Sequence, residues 1–213
     1  MLYDKDIREP LFELLEEKYG KTRILEEKQI GRARADAVMI TETDVYGIEI
    51  KSDADTYARL SRQVKYYDDY YDYNYVVVGS SHGNHISEHV PAYWGIITVE
   101  EEEDGLDFYI LREPSANPKV DWVHKIEILW RLELAHIQEL NNMPAYKNRS
   151  KKFVGEKIID TVPHDVLKKQ FCDELFERDY DTIAEKINEY RLSNGQHARR
   201  KRKYKRKKRV KYG

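Results

Sequence analysis

Residues 75–79 read Tyr-Val-Val-Val-Gly, a short apolar run closed by glycine, with no polar position to turn toward water. A strand wetted on one face alternates apolar and polar side chains, whereas a continuous apolar run reads as a central strand buried on both faces. Such a strand needs neighbours at both edges and cover above and below, so the expected class is mixed α/β. The rest of the N-terminal half fits that frame. Residues 4–19 carry Ile7, Leu11, Leu14 and Leu15 on one helical face, with Gly20 as the stop and Pro10 either inside the helix or in its first turn. Strand-like runs follow at 22–27, 35–41 and 45–51. The last two are joined by Glu42-Thr43-Asp44, which predicts a β-hairpin. Helical spacing returns over 55–72, and strands at 94–99 and 106–111 flank the acidic turn Glu100–Gly105.

After Pro114 and Pro118 the pattern becomes helical, over 122–141, 148–161, 164–177 and 179–191. The longest segment places Trp122, Ile126, Leu129, Trp130 and Leu134 on one side. These helices form either a lobe packed on the sheet or a small second domain. The expected organisation is a core over 1–113, a helical C-terminal lobe over 114–195 and a disordered basic tail over 196–213. A chain of 213 residues buries enough surface to need no staple. Cys172 is its one cysteine, which excludes an internal disulfide and a cysteine-based zinc site. No apolar window is long enough to span a membrane, and the N-terminus is charged where a signal peptide would be apolar. The expectation is a cytoplasmic protein with no membrane partner.

The net charge of −2 conceals an asymmetry, because residues 199–211 hold 11 of the 37 Lys and Arg and no acid. The remaining chain sets 26 basic against 39 acidic residues. So dense a positive run repels itself, cannot pack a core, and is suited to a polyanion. Arg199, Arg200, Lys201, Arg202, Lys203, Lys205, Arg206, Lys207, Lys208 and Arg209 are therefore candidate nucleic-acid contacts.

Chemistry concentrates between residues 34 and 63. Side chains alternate along a strand, so Glu49 and Lys51 point to one face while Ile48 and Ile50 point to the other. With the hairpin turn centred near Thr43, Asp36 falls across from about residue 50. Two carboxylates on rigid strands suit Mg²⁺ or Mn²⁺, which keeps several waters. A lysine beside them could orient an attacking water or stabilise charge on a phosphate in flight. On the following helix Asp55, Arg59 and Gln63 stand at i, i+4 and i+8, so Arg59 and Gln63 are placed to reach a phosphate or a metal-bound water.

Asp36, twelve residues, then Glu49-Ile50-Lys51 resembles the signature of the PD-(D/E)XK, or restriction-endonuclease-like, nucleases. Arg34-Ala35-Asp36, Glu49-Ile50-Lys51-Ser52, Asp55, Arg59-Leu60 and Gln63-Val64 are similar to a bacterial and phage branch of that superfamily. Trp94-Gly95-Ile96 and Leu129-Trp130-Arg131 extend the likeness, and Ala35 stands where a proline is usual. The resemblance implies a mixed sheet flanked by helices. It also implies Asp36, Glu49 and the Ile50 carbonyl as metal ligands, Lys51 as catalytic lysine, and Gln63 facing the site. A further N-terminal acid would be Glu13, Glu26 or Glu27. Arg34 and Arg59 join the tail as candidate nucleic-acid contacts.

The function so implied is metal-dependent hydrolysis of phosphodiester bonds, in DNA rather than RNA, in repair, recombination or phage–host conflict. Double-strand cutting by one such site would favour a homodimer. The alternative is a non-cleaving nucleic-acid-binding or interaction protein on the same scaffold. The tyrosines between 66 and 75 alternate with Asp68, Asp69 and Asp72, which suits packing better than a phosphate backbone. Gly83 and Asn84 argue against a helix that would align His82, His85 and His89, and Cys172 reads as a buried thiol.

Overall fold

The computed structural model describes residues 3–30, 33–52, 55–103 and 105–179, and beyond them 185, 189, 192, 193 and 195. The basic candidates from Arg199 to Arg209, and most of the helix expected over 179–191, lie outside the described residues. Helix α1 (Asp4–Tyr19) precedes strands β1 (Arg23–Ile30), β2 (Ala33–Ile40) and β3 (Val45–Lys51). A 3-10 turn (Tyr57–Arg59) leads into α2 (Leu60–Tyr70), followed by β4 (Tyr73–Gly79), α3 (Ser80–Ile86), β5 (Gly95–Glu102) and β6 (Gly105–Arg112). Short α4 (Trp122–Lys125) and a second 3-10 turn (Ile126–Ile128) open the helical half, completed by α5 (Arg131–Leu140), α6 (Lys151–Thr161) and α7 (His164–Glu177). The strands form one open mixed sheet in the order β1-β2-β3-β4-β5-β6. The β3–β4 and β4–β5 pairs are parallel, and the pairs outside them are antiparallel.

The Tyr-Val-Val-Val-Gly run makes up the last five residues of β4, in the middle of the sheet and buried on both sides as its composition requires. Tyr75 and Val77 face a core made with Ile7, Leu11 and Leu15 of α1, alongside Ile48, Ile50, Ile97 and Val99. Val76 and Val78 face the opposite core, with Tyr67 and Tyr71, Trp94, and Leu129, Leu134, Val154 and Phe171 of the helical half. Helix α1 runs through Pro10 without a break. A proline inside a helix costs ~3 kcal/mol. Ile7, Leu11 and Leu15 are 0 % exposed, and burial of such side chains contributes roughly 1.5–3 kcal/mol each, which outweighs that cost. Gly20 ends the helix at φ 72°, a conformation that favours glycine.

Residues Met1–Glu177 form one compact unit, with Arg178–Gly213 a second. Residues of α5, α6 and α7 share one apolar core with β2, β4 and β5. The 122–141 segment is not a single helix. Leu129 (ψ 148°) and Trp130 (ψ 164°) are extended, and the Glu133 carboxylate accepts the Trp130 N–H at 2.6 Å, capping a new helix. Gly83 and Asn84 do lie in a helix, α3, which takes in His82 and His85 and ends before His89. His85 and His89 are exposed, however, and the His82 side chain lies outside what is described. Tyr67, Tyr71 and Tyr75 are packed inside, as expected of that cluster. Gly47 is enforced by packing: a Cβ there would lie 2.2 Å from the Tyr71 ring and 2.5 Å from the Tyr67 ring. No helix among the described residues is long and apolar enough to cross a membrane.

Candidate active site

The hairpin register places Ala37 opposite Ile48 and Ile40 opposite Val45, so Asp36 projects toward residue 49 rather than 50. The Cα ladder between β2 and β3 ends at Ala37, and there the Asp36 carboxylate takes over by accepting the Ile50 N–H at 2.9 Å. The strands part at this point. A cleft of about 370 Å³ opens at the carboxyl end of β3, lined by Asp36, Glu49, Ile50, Lys51, Gln63 and, at its rim, Asp4, Arg34, Asp55 and Arg59. Asp36, Glu49, Ile50, Lys51, Gln63, Arg34 and Arg59 are therefore brought together. Crevices beyond the carboxyl ends of parallel strands are where open α/β sheets take ligands.

The face carrying Glu49 and Lys51 is not a solvated one. Glu49 is 0 % and Lys51 8 % exposed. Lys51 Nζ lies 2.6 Å from Glu49 Oε1 and donates to Gln63 Oε1 at 3.1 Å. Gln63 Nε2 donates to the same Glu49 oxygen. Tyr67, one helical turn beyond Gln63, has its hydroxyl 2.7 Å from Glu49 Oε2 and 3.1 Å from the Ile48 carbonyl, and accepts the Asp36 N–H at 3.3 Å. Burial, reinforced by the Glu49 and Asp36 charges, pushes the Tyr67 phenol well above its ordinary range, so it stays a neutral donor.

Two residues here were not legible as site residues in the sequence, Tyr67 and Arg8. The signal for Tyr67 was its i+4 spacing from Gln63. For Arg8 it was the i+4 spacing from Asp4 on the buried side of α1. Arg8 forks onto Asp4 at 2.7 and 3.0 Å, reaches Glu26 Oε2 at 3.3 Å and donates to the Asp36 carbonyl at 3.2 Å. Of the N-terminal acids expected at the site, Glu13 is exposed and not in the cleft lining. Glu26 connects only through Arg8, and the Glu27 side chain lies outside what is described. The N-terminal acid that lines the cleft is Asp4. The expected Asp55–Arg59–Gln63 stripe is also corrected. Asp55 precedes the helix and accepts from the Ser52 N–H at 2.9 Å and hydroxyl at 2.7 Å, which leaves Arg59 and Gln63 as the helical pair.

Burial and the neighbouring Glu49 charge push Asp36 up from 3.8 to about 7, against the lowering effect of the Ile50 N–H and Arg8. Two carboxylates thus share too little positive charge, the condition that a divalent cation relieves. Each carboxylate oxygen has two lone pairs, so Asp36 Oδ1 and one lone pair of Glu49 Oε2 are left over by these bonds. Among the described residues no three or more His, Cys, Asp or Glu are grouped closely enough to hold a metal ion between them. Two carboxylates with a backbone carbonyl and several waters fit Mg²⁺, which seldom uses an all-protein cage. The raised value has a pH consequence. An acid bound more tightly to its proton in the native state favours folding as pH falls from about 7 toward 4. Without divalent ions, the wild-type protein should gain about 1–2 kcal/mol of stability between pH 7.5 and 5.5 relative to Asp36→Asn, read by urea melts.

Comparison with known proteins adds a family and a solved structure. The family described as Bacteriophage P4 protein cII matches residues 2–205. The structure of Pyrococcus furiosus SfsA in complex with Ca²⁺ aligns at 15% identity and a TM-score of 0.33. That alignment covers 49% of this chain and 59% of the other, less than two thirds of its length. No curated protein matches the chain.

Proposed function

The chain belongs to the bacteriophage P4 protein cII family, and from that premise and the cleft we propose a metal-dependent phosphodiesterase acting on DNA, built on a restriction-endonuclease-like core. One observation supports it above the rest: Asp36, Glu49 and Lys51, 15 residues apart at most in sequence, meet at a buried strand end that lines a cleft of about 370 Å³. Buried charge of this kind stabilises a fold poorly, which argues that it is retained for chemistry. Asp36, Glu49 and the Ile50 carbonyl would hold Mg²⁺ or Mn²⁺. Bound there, the ion would lower the pKa of a coordinated water and offset charge building on the phosphate. Lys51 would place its ammonium against the nucleophile or the phosphoryl oxygens. Gln63, hydrogen-bonded to both Lys51 and Glu49, would fix their geometry. Arg34 and Arg59, exposed at the rim, would take flanking phosphates, and the basic run 199–209 would supply sequence-independent attraction to the duplex.

A second reading has its own observation. Both Glu49 oxygens already accept from Lys51, Gln63 or Tyr67, an arrangement equally suited to a scaffold that binds DNA without cutting it. The experiment that separates them incubates full-length protein with circular and linear DNA in Mg²⁺, Mn²⁺ or EDTA. Cleavage in the metals and none in EDTA is expected. Retention of DNA with no cleavage in either metal would replace the first reading with the second.

A further inference from the structure

We infer that Arg8 is a positioning residue for Asp36, setting the direction of its carboxylate from the far side of the strand; this rests on the metal-binding reading above. Asp36 sits one residue past the end of the β2–β3 Cα ladder, so β3 no longer pairs with it, while Ala35 and Ala37 on either side stay paired with Lys28 and Glu26 of β1. Side chains from two helices take up its own N–H and C=O. Its N–H donates to the Tyr67 hydroxyl of α2, and its carbonyl accepts from Arg8 of α1. The two peptide units that meet at its Cα are each held, so the Asp36 side chain leaves the strand in one direction, with Oδ2 on the Ile50 N–H.

Arg8 can serve this purpose because it is itself fixed. It is 9 % exposed, and its fork is spread over Asp4 on its own helix, Glu26 on β1 and the Asp36 carbonyl on β2. A planar guanidinium with several donors bridges three such acceptors, and the single ammonium of lysine does not. The nearest approach of its charge to the Asp36 carboxylate is 3.8 Å, longer than a hydrogen bond. Arg8 therefore acts chiefly on the backbone. Its charge alone would oppose a cation in the cleft, so charge and geometry predict opposite effects on metal affinity.

The test measures Mn²⁺ binding to full-length protein by electron paramagnetic resonance, well below each variant's melting temperature. The variants are Arg8→Lys, Asp36→Asn and Leu15→Ala, the last a buried α1 residue remote from the cleft that controls for loss of stability. Outer-shell partners of metal ligands typically contribute 10–100-fold in affinity. Arg8→Lys, which keeps the charge and loses the fork, should weaken Mn²⁺ about tenfold, while Leu15→Ala leaves it unchanged and Asp36→Asn removes it. Should Arg8→Lys not fold, Glu26→Gln, at a surface acid anchoring the same guanidinium, should weaken Mn²⁺ in the same direction. Wild-type binding with Arg8→Lys unchanged or tighter overturns the inference alone. Wild-type protein that takes up no Mn²⁺ overturns the metal reading and this inference with it.

Discussion

Lys51→Ala should abolish metal-dependent DNA cleavage, lowering the rate by on the order of 10³, while leaving Mn²⁺ binding intact or slightly tighter. The two readouts part because Lys51 and Glu49 have different tasks in the same ion pair. Glu49 keeps its bonds to Gln63 and Tyr67 when the ammonium is removed, so the carboxylate stays fixed and hydrogen-bonded. Removing a positive charge 2.6 Å from that carboxylate frees one lone pair of Oε1 for the cation. What is lost is the ammonium beside Glu49, the group proposed to face the reacting phosphate. Glu49→Gln should behave otherwise, losing cleavage and Mn²⁺ affinity together. The pair is measured by single-turnover cleavage of a labelled duplex and by Mn²⁺ titration of the same preparations. If Lys51→Ala cuts within tenfold of wild type, the lysine is structural and the proposed chemistry is wrong.

The elements that carry this site were readable because their local pattern and their tertiary setting agree. Alternation along Val45–Lys51 and the short polar turn before it specify a hairpin whatever packs around it, and the structure differs from that reading by one residue of register. The apolar run Tyr75–Gly79 of β4 could sit only in the centre of a sheet. Where reading failed, a distant group had decided the outcome. Helical periodicity continues through Leu129 and Trp130, but the Glu133 carboxylate caps a fresh helix there, and Gly155 lets α6 approach so closely that a Cβ would sit 2.9 Å from Ile126. Arg8 and Tyr67 were missed for the same reason. Their contacts to Asp36 span 28 and 31 residues of sequence, and neither residue type is diagnostic by itself. Helical spacing takes in Asp55 as the first residue of its stretch, but there the side-chain bond to Ser52 competes with helix formation.

A second large effect belongs to a different charged pair, one that the cleft does not use. Lys125→Met should destabilise the protein by about 3–5 kcal/mol, the usual cost of leaving a buried charge without its partner. Lys125 is 0 % exposed, and its Nζ lies 2.6 Å from both oxygens of Asp72 with the rings of Trp122 and Phe171 4.5 and 5.1 Å away. Asp72 in turn accepts the Val45 N–H at 2.8 Å and gives its own N–H to the Val45 carbonyl at 2.9 Å. The pair therefore fastens the start of β3 and the approach to β4 to α4 and α7, at the opposite end of β3 from Glu49 and Lys51. A close buried pair is a poor source of net stability but costly to break. It follows that the double variant Asp72→Asn/Lys125→Met, which removes both charges, should be more stable than either single one. The three variants are compared by urea midpoint and by Mn²⁺ binding below it. Because the pair anchors β3 without touching the cleft, folded Lys125→Met should still bind the ion; a single-variant cost below about 1 kcal/mol would mean that the lobe is held by its apolar contacts alone.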